Sequence, residues 1–295
     1  MRIVLFGYGE MGCTGLEFLL AAKEDVAAVI THRDDPAEKR WYRSLAEVAT
    51  KAGVRVIYGE ETDLAGEVAR LRPDLILSFY YRNMIPVKVL QLAPKGALNL
   101  HGSFLPRLRG RAPINWALVE CEEETGVTLH HMVKAPDAGD IVAQRGWKIG
   151  PRDTAKDLFF RAVEEAKLLL REVWPRVRDG TAPRLPQDPL KATYRGRRRP
   201  DDGKIDWTQP TKRIDGLVRA VTDPFPGAFT FLGGRRLMVW AGSPADGRGA
   251  PGTLLADGVV ATGDGAYRIE RCELAGAPSE RPALRAGLKL GEEAR

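Results

Sequence analysis

An amide, an imidazole and a carboxylate stand close together in this chain as Asn99, His101 and Asp137. The run Gly96-Ala-Leu-Asn-Leu-His101 alternates as a strand does, so Leu98 and Leu100 share one face and Asn99 and His101 the other. Two polar side chains on one side of an apolar strand serve a core badly and ask for a chemical reason. Asp137 follows in Pro136-Asp-Ala-Gly-Asp140, where Gly139 is expected to allow the turn that returns a carboxylate to the strand end. Such a set suits acyl transfer. The amide steadies an oxyanion, the imidazole carries the proton, and the carboxylate orients and charges the imidazole.

Periodicity gives the elements that must position these residues. Short apolar runs at 3–6, 26–30, 54–57, 75–79 and 97–100 alternate with helical stretches at 16–22, 45–52 and 64–71. The alternation predicts an α/β fold, a Rossmann-like, mostly parallel sheet with helices on both faces and chemistry at the strand carboxyl ends. Asn99 and His101 fall at such an end. A long helix is predicted over 154–179, with Thr154 and Asp157 as a capping box and Gly180 as its C′ residue. Prolines 183, 186, 189 and 200 then mark a linker. Beyond it, short runs at 229–232, 237–240, 253–255, 259–261 and 267–269, separated by glycines, predict a small OB-like β-barrel. The expected organisation is a catalytic domain over 1–186, a linker over 187–203 and a C-terminal barrel domain over 204–295.

Composition narrows the class. At 44% hydrophobic and 28% charged, the 295 residues describe a globular chain and exclude disorder. No apolar run approaches the ~18 to 20 residues of a membrane span. Met1-Arg-Ile-Val-Leu-Phe6 reads as a strand entering a glycine turn, so no secretory leader is expected. Cys13, Cys121 and Cys272 are odd in number and scattered, which points to free thiols and the cytoplasm. Four histidines without ligand spacing predict no metal site. The net charge of +6 divides into +2 for each of 1–186, 187–203 and 204–295, so no basic face for nucleic acid is expected. Its one dense cluster, Arg195-Gly-Arg-Arg-Arg199, reads first as a solvated connector and second as a phosphate contact. A homo-oligomer stays open.

One motif points elsewhere. Gly7-Tyr-Gly-Glu-Met-Gly12 is a G-x-G-x-x-G between a first strand and a helix, which alone would favour an NAD-dependent oxidoreductase. The second strand, however, runs out as Ile30-Thr-His-Arg-Asp34, with no acidic residue at its tip for a ribose. A tight turn with close helix approach needs the same glycines. Tyr80, Tyr81 and Arg82 leave the fourth strand at its functional end, where they suit a ring and a pyrophosphate, although the tyrosines equally suit packing beneath the next loop. Arg107, Arg109 and Arg111 suit an acidic substrate tail. Of His130 and His131, one is expected to pack inward and neither to be catalytic. Asp140 reads as structural.

Leu98-Asn-Leu-His-Gly-Ser-Phe-Leu-Pro-Arg107, Arg109-Gly-Arg-Ala-Pro113, Glu124-Thr-Gly-Val-Thr128 and Asp137-Ala-Gly-Asp140 resemble, in order and spacing, the folate-dependent formyltransferase family. The resemblance covers nearly the whole chain. It implies formyl transfer from 10-formyltetrahydrofolate to an amine, with Asn99, His101 and Asp137 as the catalytic residues. Tyr8 to Gly15, Thr31-His32, Ser78-Phe-Tyr-Tyr-Arg82, Met132-Val-Lys134 and Asp223-Pro-Phe-Pro-Gly-Ala228 look like one branch, the formyltransferase domain of the bifunctional polymyxin-resistance enzyme. That branch acts on UDP-4-amino-4-deoxy-L-arabinose in lipopolysaccharide or lipid A modification. The resemblance implies a folate slot walled by Asn83, Met84, Ile85, Val133, Lys134, Ala135, Pro136 and Asp137, largely through backbone atoms, with Arg111 a further folate contact. Gly9, Gly12, Tyr80, Tyr81 and Arg82 would lie on the nucleotide-sugar side. The chain leaves no room for that enzyme's dehydrogenase half, so upstream decarboxylation is expected from another protein. The alternative acceptor is methionyl-tRNA, against which Thr31–Tyr42 lacks the Gly/Lys-rich insertion that branch uses to grip the acceptor stem.

Overall fold

The computed structural model describes residues 1–36, 40–256, 258–277 and 282–292, so part of the Thr31–Tyr42 segment, residues 37–39, lies outside the described residues. The chain packs as two compact units that interleave along the sequence. The first takes 1–110, 125–147 and 160–195, and the second 111–124, 148–159 and 196–295.

In chain order the elements are β1 (Arg2–Gly7), α1 (Gly9–Ala21), β2 (Asp25–Thr31), α2 (Leu45–Lys51), β3 (Val56–Tyr58), α3 (Leu64–Leu71), β4 (Leu75–Phe79), α4 (Val87–Leu90) and β5 (Ala97–His101). There follow β6 (Arg109–Gly110), α5 (Pro113–Val119), β7 (Glu124–His131), β8 (Ile141–Lys148), α6 (Ala155–Asp179) and β9 (Tyr194–Arg195). The chain then forms α7 (Thr211–Val221), β10 (Ala228–Leu232), β11 (Arg235–Ala245), β12 (Leu254–Ala256), β13 (Val259–Ala261) and β14 (Ala266–Leu274).

The first unit is built on a seven-stranded sheet of order β3-β2-β1-β4-β5-β7-β8. Its first five strands are parallel, as the continuous apolar runs predict for a sheet covered on both faces, and β7 is antiparallel to β5. The connection from β3 at the edge to β4 beside β1 reverses the direction of winding. A crevice therefore opens at the carboxyl ends of β1 and β4, where an open α/β sheet takes ligands. Tyr8 and Tyr80–Arg82 stand at this switch, one strand from Asn99 and His101.

Helix α1 starts at Gly9, a full turn and more before the periodicity begins at 16. Three glycines in its first two turns are poor helix formers, yet packing requires them. A Cβ at Gly12 would lie 2.7 Å from the Leu45 side chain, and one at Gly15 only 1.8 Å from the Phe79 ring. Strand β7 escapes the apolar pattern because Thr125, Thr128 and His130 are buried polar residues on it. The predicted capping box forms at Thr154, whose N–H donates to Asp157 Oδ2 at 2.9 Å, and Gly180 takes a left-handed φ of 74°. Among the described residues no helix is long and apolar enough to cross a membrane.

The second unit carries an antiparallel five-stranded sheet of order β10-β11-β14-β13-β12. Leu290 bridges to Leu232 on β10 and Lys289 to Thr253 beside β12, so residues 289–290 join the two edges and close the small barrel. These bridges cover part of each edge, which leaves less unpaired backbone open to another chain.

Gly15→Ala should lower unfolding free energy by ~1–3 kcal/mol, the usual cost of overpacking, because Phe79 is fully buried and cannot swing away. A lower urea midpoint at unchanged slope is the expected outcome.

Candidate active site

Antiparallel pairing of β5 with β7 sets Asn99 opposite His130 and His101 opposite Thr128. The face that carried Asn99 and His101 in the sequence thus gains a second imidazole. The Asn99 amide donates to His130 Nε2 at 3.1 Å and to Asp137 Oδ1 at 3.2 Å. Asp137 Oδ1 stands 3.6 Å from His101 Nδ1, and Oδ2 accepts the Gly110 N–H at 2.8 Å. The three residues singled out by type and spacing are therefore brought together, with His130 as a fourth member. Of His130 and His131 one was expected to pack inward; His130 does so, 2% exposed, with its ring nitrogen inside the cluster. The signal for it was present, since Thr128 and His130 repeat the two-residue polar spacing of Asn99 and His101.

The turn that delivers Asp137 differs from expectation. Asp137 itself takes the left-handed conformation, with φ 52°. Gly139 is needed for closeness, because a Cβ there would lie 1.9 Å from the His131 carbonyl oxygen. Gln187 holds this turn by donating to the carbonyls of Asp137 and Gly139 at 2.8 and 2.7 Å. Its own side-chain oxygen accepts from Arg109 Nη2 at 2.7 Å, and Arg109 Nη1 donates to the Tyr194 hydroxyl at 2.7 Å. Arg109 is buried in this support, which corrects its reading as a binder of an acidic tail. Gln187, far off in sequence and in a presumed linker, carried no signal.

The protonation pattern follows from the partners. His101 Nε2 faces the Leu108 carbonyl at 2.8 Å, an acceptor only, so Nε2 carries the hydrogen and Nδ1 the lone pair. Burial pushes the imidazole pKa below its ordinary value, and the pull of Asp137 and the Leu108 carbonyl in the other direction does not overcome it. For Asp137, burial would raise the carboxyl, but His101, His130 and the Gly110 N–H together hold it far below the usual carboxylate range. A neutral imidazole beside a carboxylate is the state at neutral pH. His130 Nδ1 donates to the His131 carbonyl at 2.9 Å, which leaves Nε2 to accept the Asn99 amide.

At the switch, Tyr81 stacks on His32, with centroids 4.3 Å apart, and meets Phe6 edge-on. It is a packing residue on this geometry. The Tyr80 phenol is pushed well above its ordinary pKa by burial, and its φ of 62° is left-handed. Arg82 is exposed, with its guanidinium 3.9 Å over the Tyr8 ring and Nη2 donating to the Tyr42 hydroxyl at 3.2 Å. Gly9 backs onto the Tyr42 ring, where a Cβ would come within 3.0 Å. The glycines at 9 and 12 therefore serve close packing against residues 42 and 45.

The segments that would wall a folate slot are partly as expected. Ile85 is buried in the same core cluster that Met132 packs against, so segments 83–85 and 132–136 leave the sheet together. Asn83 donates to Glu60 at 3.1 Å. Met84 (62% exposed), Val133, Lys134, Ala135 and Pro136 face solvent, whereas the Ile85 side chain does not. Arg111 belongs to the second unit and lines a cavity there with Arg197–Arg199. Among the described residues no three His, Cys, Asp or Glu side chains converge to hold a metal ion.

Residues 1–173 match the family described as Formyl transferase, and residues 198–283 the family described as Formyl transferase, C-terminal domain. The chain belongs to the formyl transferase family. It is a formyl-transferring enzyme, which sets aside the oxidoreductase reading of the glycine motif. Similar solved structures share the fold. WlaRD, a sugar 3N-formyl transferase solved in the presence of dTDP and 5-N-formyl-THF, is 20% identical over 90% of this chain and 96% of its own, with a TM-score of 0.71. The N-formyltransferase from Helicobacter canadensis, in complex with folinic acid and dTDP-3-aminofucose, is 20% identical over 90% and 97%, with a TM-score of 0.72. A variant of HypX from Aquifex aeolicus is 23% identical over 93% of this chain and 44% of its own, with a TM-score of 0.63.

The His101 imidazole should titrate below its ordinary pKa, read by proton NMR of its ring. Asp137→Asn removes a group that raises this pKa, so the His101 midpoint should fall further; a rise would contradict the assigned pairing.

Proposed function

We propose that the enzyme transfers the formyl group of 10-formyltetrahydrofolate to the amine of a nucleotide-linked amino sugar. The observation that carries this reading is the Asn99–His101–Asp137–His130 cluster at the carboxyl end of β5, one strand from the switch crevice. The sugar N-formyltransferases that share the fold, bound to folates and dTDP or a dTDP-sugar, support the same class of donor and acceptor. The acceptor we place first is UDP-4-amino-4-deoxy-L-arabinose, on the resemblance of the residues around Tyr8–Gly15 and Ser78–Arg82, with the reaction in the cytoplasm and lipopolysaccharide or lipid A as its end use.

The chemistry runs through this chain's own groups. Asn99 offers amide hydrogens to the oxygen that gains charge when the amine attacks the formyl carbon. Both are engaged in the cluster, so the oxyanion displaces Asp137 Oδ1 from the amide and leaves His130 as the anchor that keeps Asn99 oriented. A preorganised donor of this kind contributes ~3 kcal/mol to the transition state. His101 Nδ1 accepts the proton from the attacking amine, since Nε2 is committed to Leu108. The imidazolium so formed stands 3.6 Å from the Asp137 carboxylate. At an effective dielectric of ~20 such a pair attracts by ~4 kcal/mol, which offsets part of the cost that burial sets on the charge. The same proton is then returned to the departing folate nitrogen. Segments 83–85 and 133–136 hold the folate ring through backbone groups, and Arg82 meets the acceptor's pyrophosphate.

A panel of amino-sugar nucleotides, read by mass for gain of one formyl group, tests the reaction. UDP-4-amino-4-deoxy-L-arabinose should be formylated and His101→Ala or Asn99→Ala should lower turnover by at least ~100-fold. Near-normal turnover in His101→Ala would remove the proton-transfer role.

Arg82→Ala should raise the Michaelis constant of the sugar acceptor about tenfold or more, as loss of a hydrogen bond to a charged group does, while kcat stays near wild type. The dependence on salt should be shallow. A methionyl-tRNA acceptor would instead weaken steeply with salt.

A further inference from the structure

Residues 195–199 read from sequence as a solvated cationic connector, yet three of them, Arg197, Arg198 and Arg199 in the second unit, line a cavity. Arg111, Arg197, Arg198 and Arg199 line a space of about 240 Å³ whose other walls include Val221 and Phe225. No carboxylate is among its lining residues. Arg198 is half-buried, whereas Arg111, Arg197 and Arg199 are exposed. Its Nη2 donates to the Asp202 carbonyl at 2.8 Å and its guanidinium lies 4.7 Å from the centre of the Trp116 ring. Its Nε–H is buried without an acceptor. A cationic donor in that state is an exception among folded proteins and signals a missing partner. Burial also pushes the Arg198 pKa down, with Asp202 offsetting part of the effect, which is the mark of a guanidinium short of negative charge. Arginines gathered about one space repel each other and attract any anion small enough to enter. The edge of a guanidinium that includes Nε is also one that takes two oxygens at once.

We propose that this cavity binds a small multivalent oxyanion, a diphosphate or a pair of carboxylates, on Arg198 with Arg111, Arg197 and Arg199 around it. The proposal goes beyond the formyl-transfer reading and does not rest on it. Within that reading, two sources share the chemistry: the diphosphate of a nucleotide-sugar and the glutamyl carboxylates of a folate tail.

Calorimetry on the full chain tests it with inorganic pyrophosphate and tri-γ-glutamate as probes. One of the two should bind saturably at submillimolar concentration, and which one does so identifies the source. Arg198→Met, which keeps the packing stem, should weaken binding about tenfold or more. Arg198 also packs on Trp116, so Arg197→Ala and Arg199→Ala serve as second variants at exposed positions, each expected to weaken binding severalfold at unchanged melting temperature. His101→Ala should leave anion binding intact, so failure of the catalytic reading and failure of this one are read separately. Absence of saturable binding by both probes overturns the proposal. So does binding that persists unchanged in Arg197→Ala, Arg199→Ala and folded Arg198→Met. Binding of tRNA that is lost in these variants, with neither small probe binding, overturns it as well.

Discussion

A carboxylate held ionised in a mostly buried place is the constraint around which the first unit's site is arranged. Asp137 accepts one backbone N–H and one amide, and stands between two imidazoles. Left without those partners, a buried carboxylate would take up a proton or unfold its surroundings. Each partner in turn is fixed by something distant: His130 by its own backbone bond, Gly110 by pairing of β6 with β9, the Asp137 turn by Gln187 and Arg109. The charge is therefore what makes the loop 102–110, the turn 135–139 and the segment 187–195 a single construction. Their residues are far apart in the chain and meet only there.

Of the five described non-glycine residues of this unit in the left-handed backbone region that side chains disfavour, Lys23 and Arg72 lie away from the site, and Tyr80, Leu108 and Asp137 lie at it. Leu108 presents the carbonyl that sets the His101 tautomer, and Asp137 presents the carboxylate. Tyr80 directs the chain out of β4 at the switch. Strain of ~1–3 kcal/mol at each is tolerated where the surroundings over-determine the conformation, and here they do so at the polar site and at the crevice. The sheet order supplies the rest: one reversal of winding opens the crevice, and the next strand carries the reactive face.

The glycine motif illustrates how one pattern can serve two physical ends. Its spacing is that of a dinucleotide turn, but a Cβ at Gly12 would collide with Leu45, one just past the motif at Gly15 would collide with Phe79, and Gly9 takes a left-handed φ of 56° against Tyr42. Close approach of α1 to α2 and β4 is sufficient reason for Gly12 and Gly15, and the left-handed backbone for Gly9. Aromatic residues around that turn, with Arg82 laid over Tyr8, then line the crevice.

Local pattern alone determined the parallel sheet, the long capped helix and the strand–turn rhythm of the barrel, because each rests on periodicity or a turn residue within a few positions. It also put Asn99 and His101 on one strand face, while the resemblance of the surrounding motifs implied Asp137 as their third member. Only the tertiary structure decided the protonation of His101, which depends on a carbonyl seven residues away and on burial that no composition records. It alone brought in His130 and Gln187, whose roles arise from strand pairing and from a contact across about fifty residues. It reassigned Arg109 to internal support and gathered Arg111 with Arg197–Arg199. A charge in a sequence has no address. Whether an arginine meets water, a glutamine or a cavity is set by long-range packing, which local spacing does not encode.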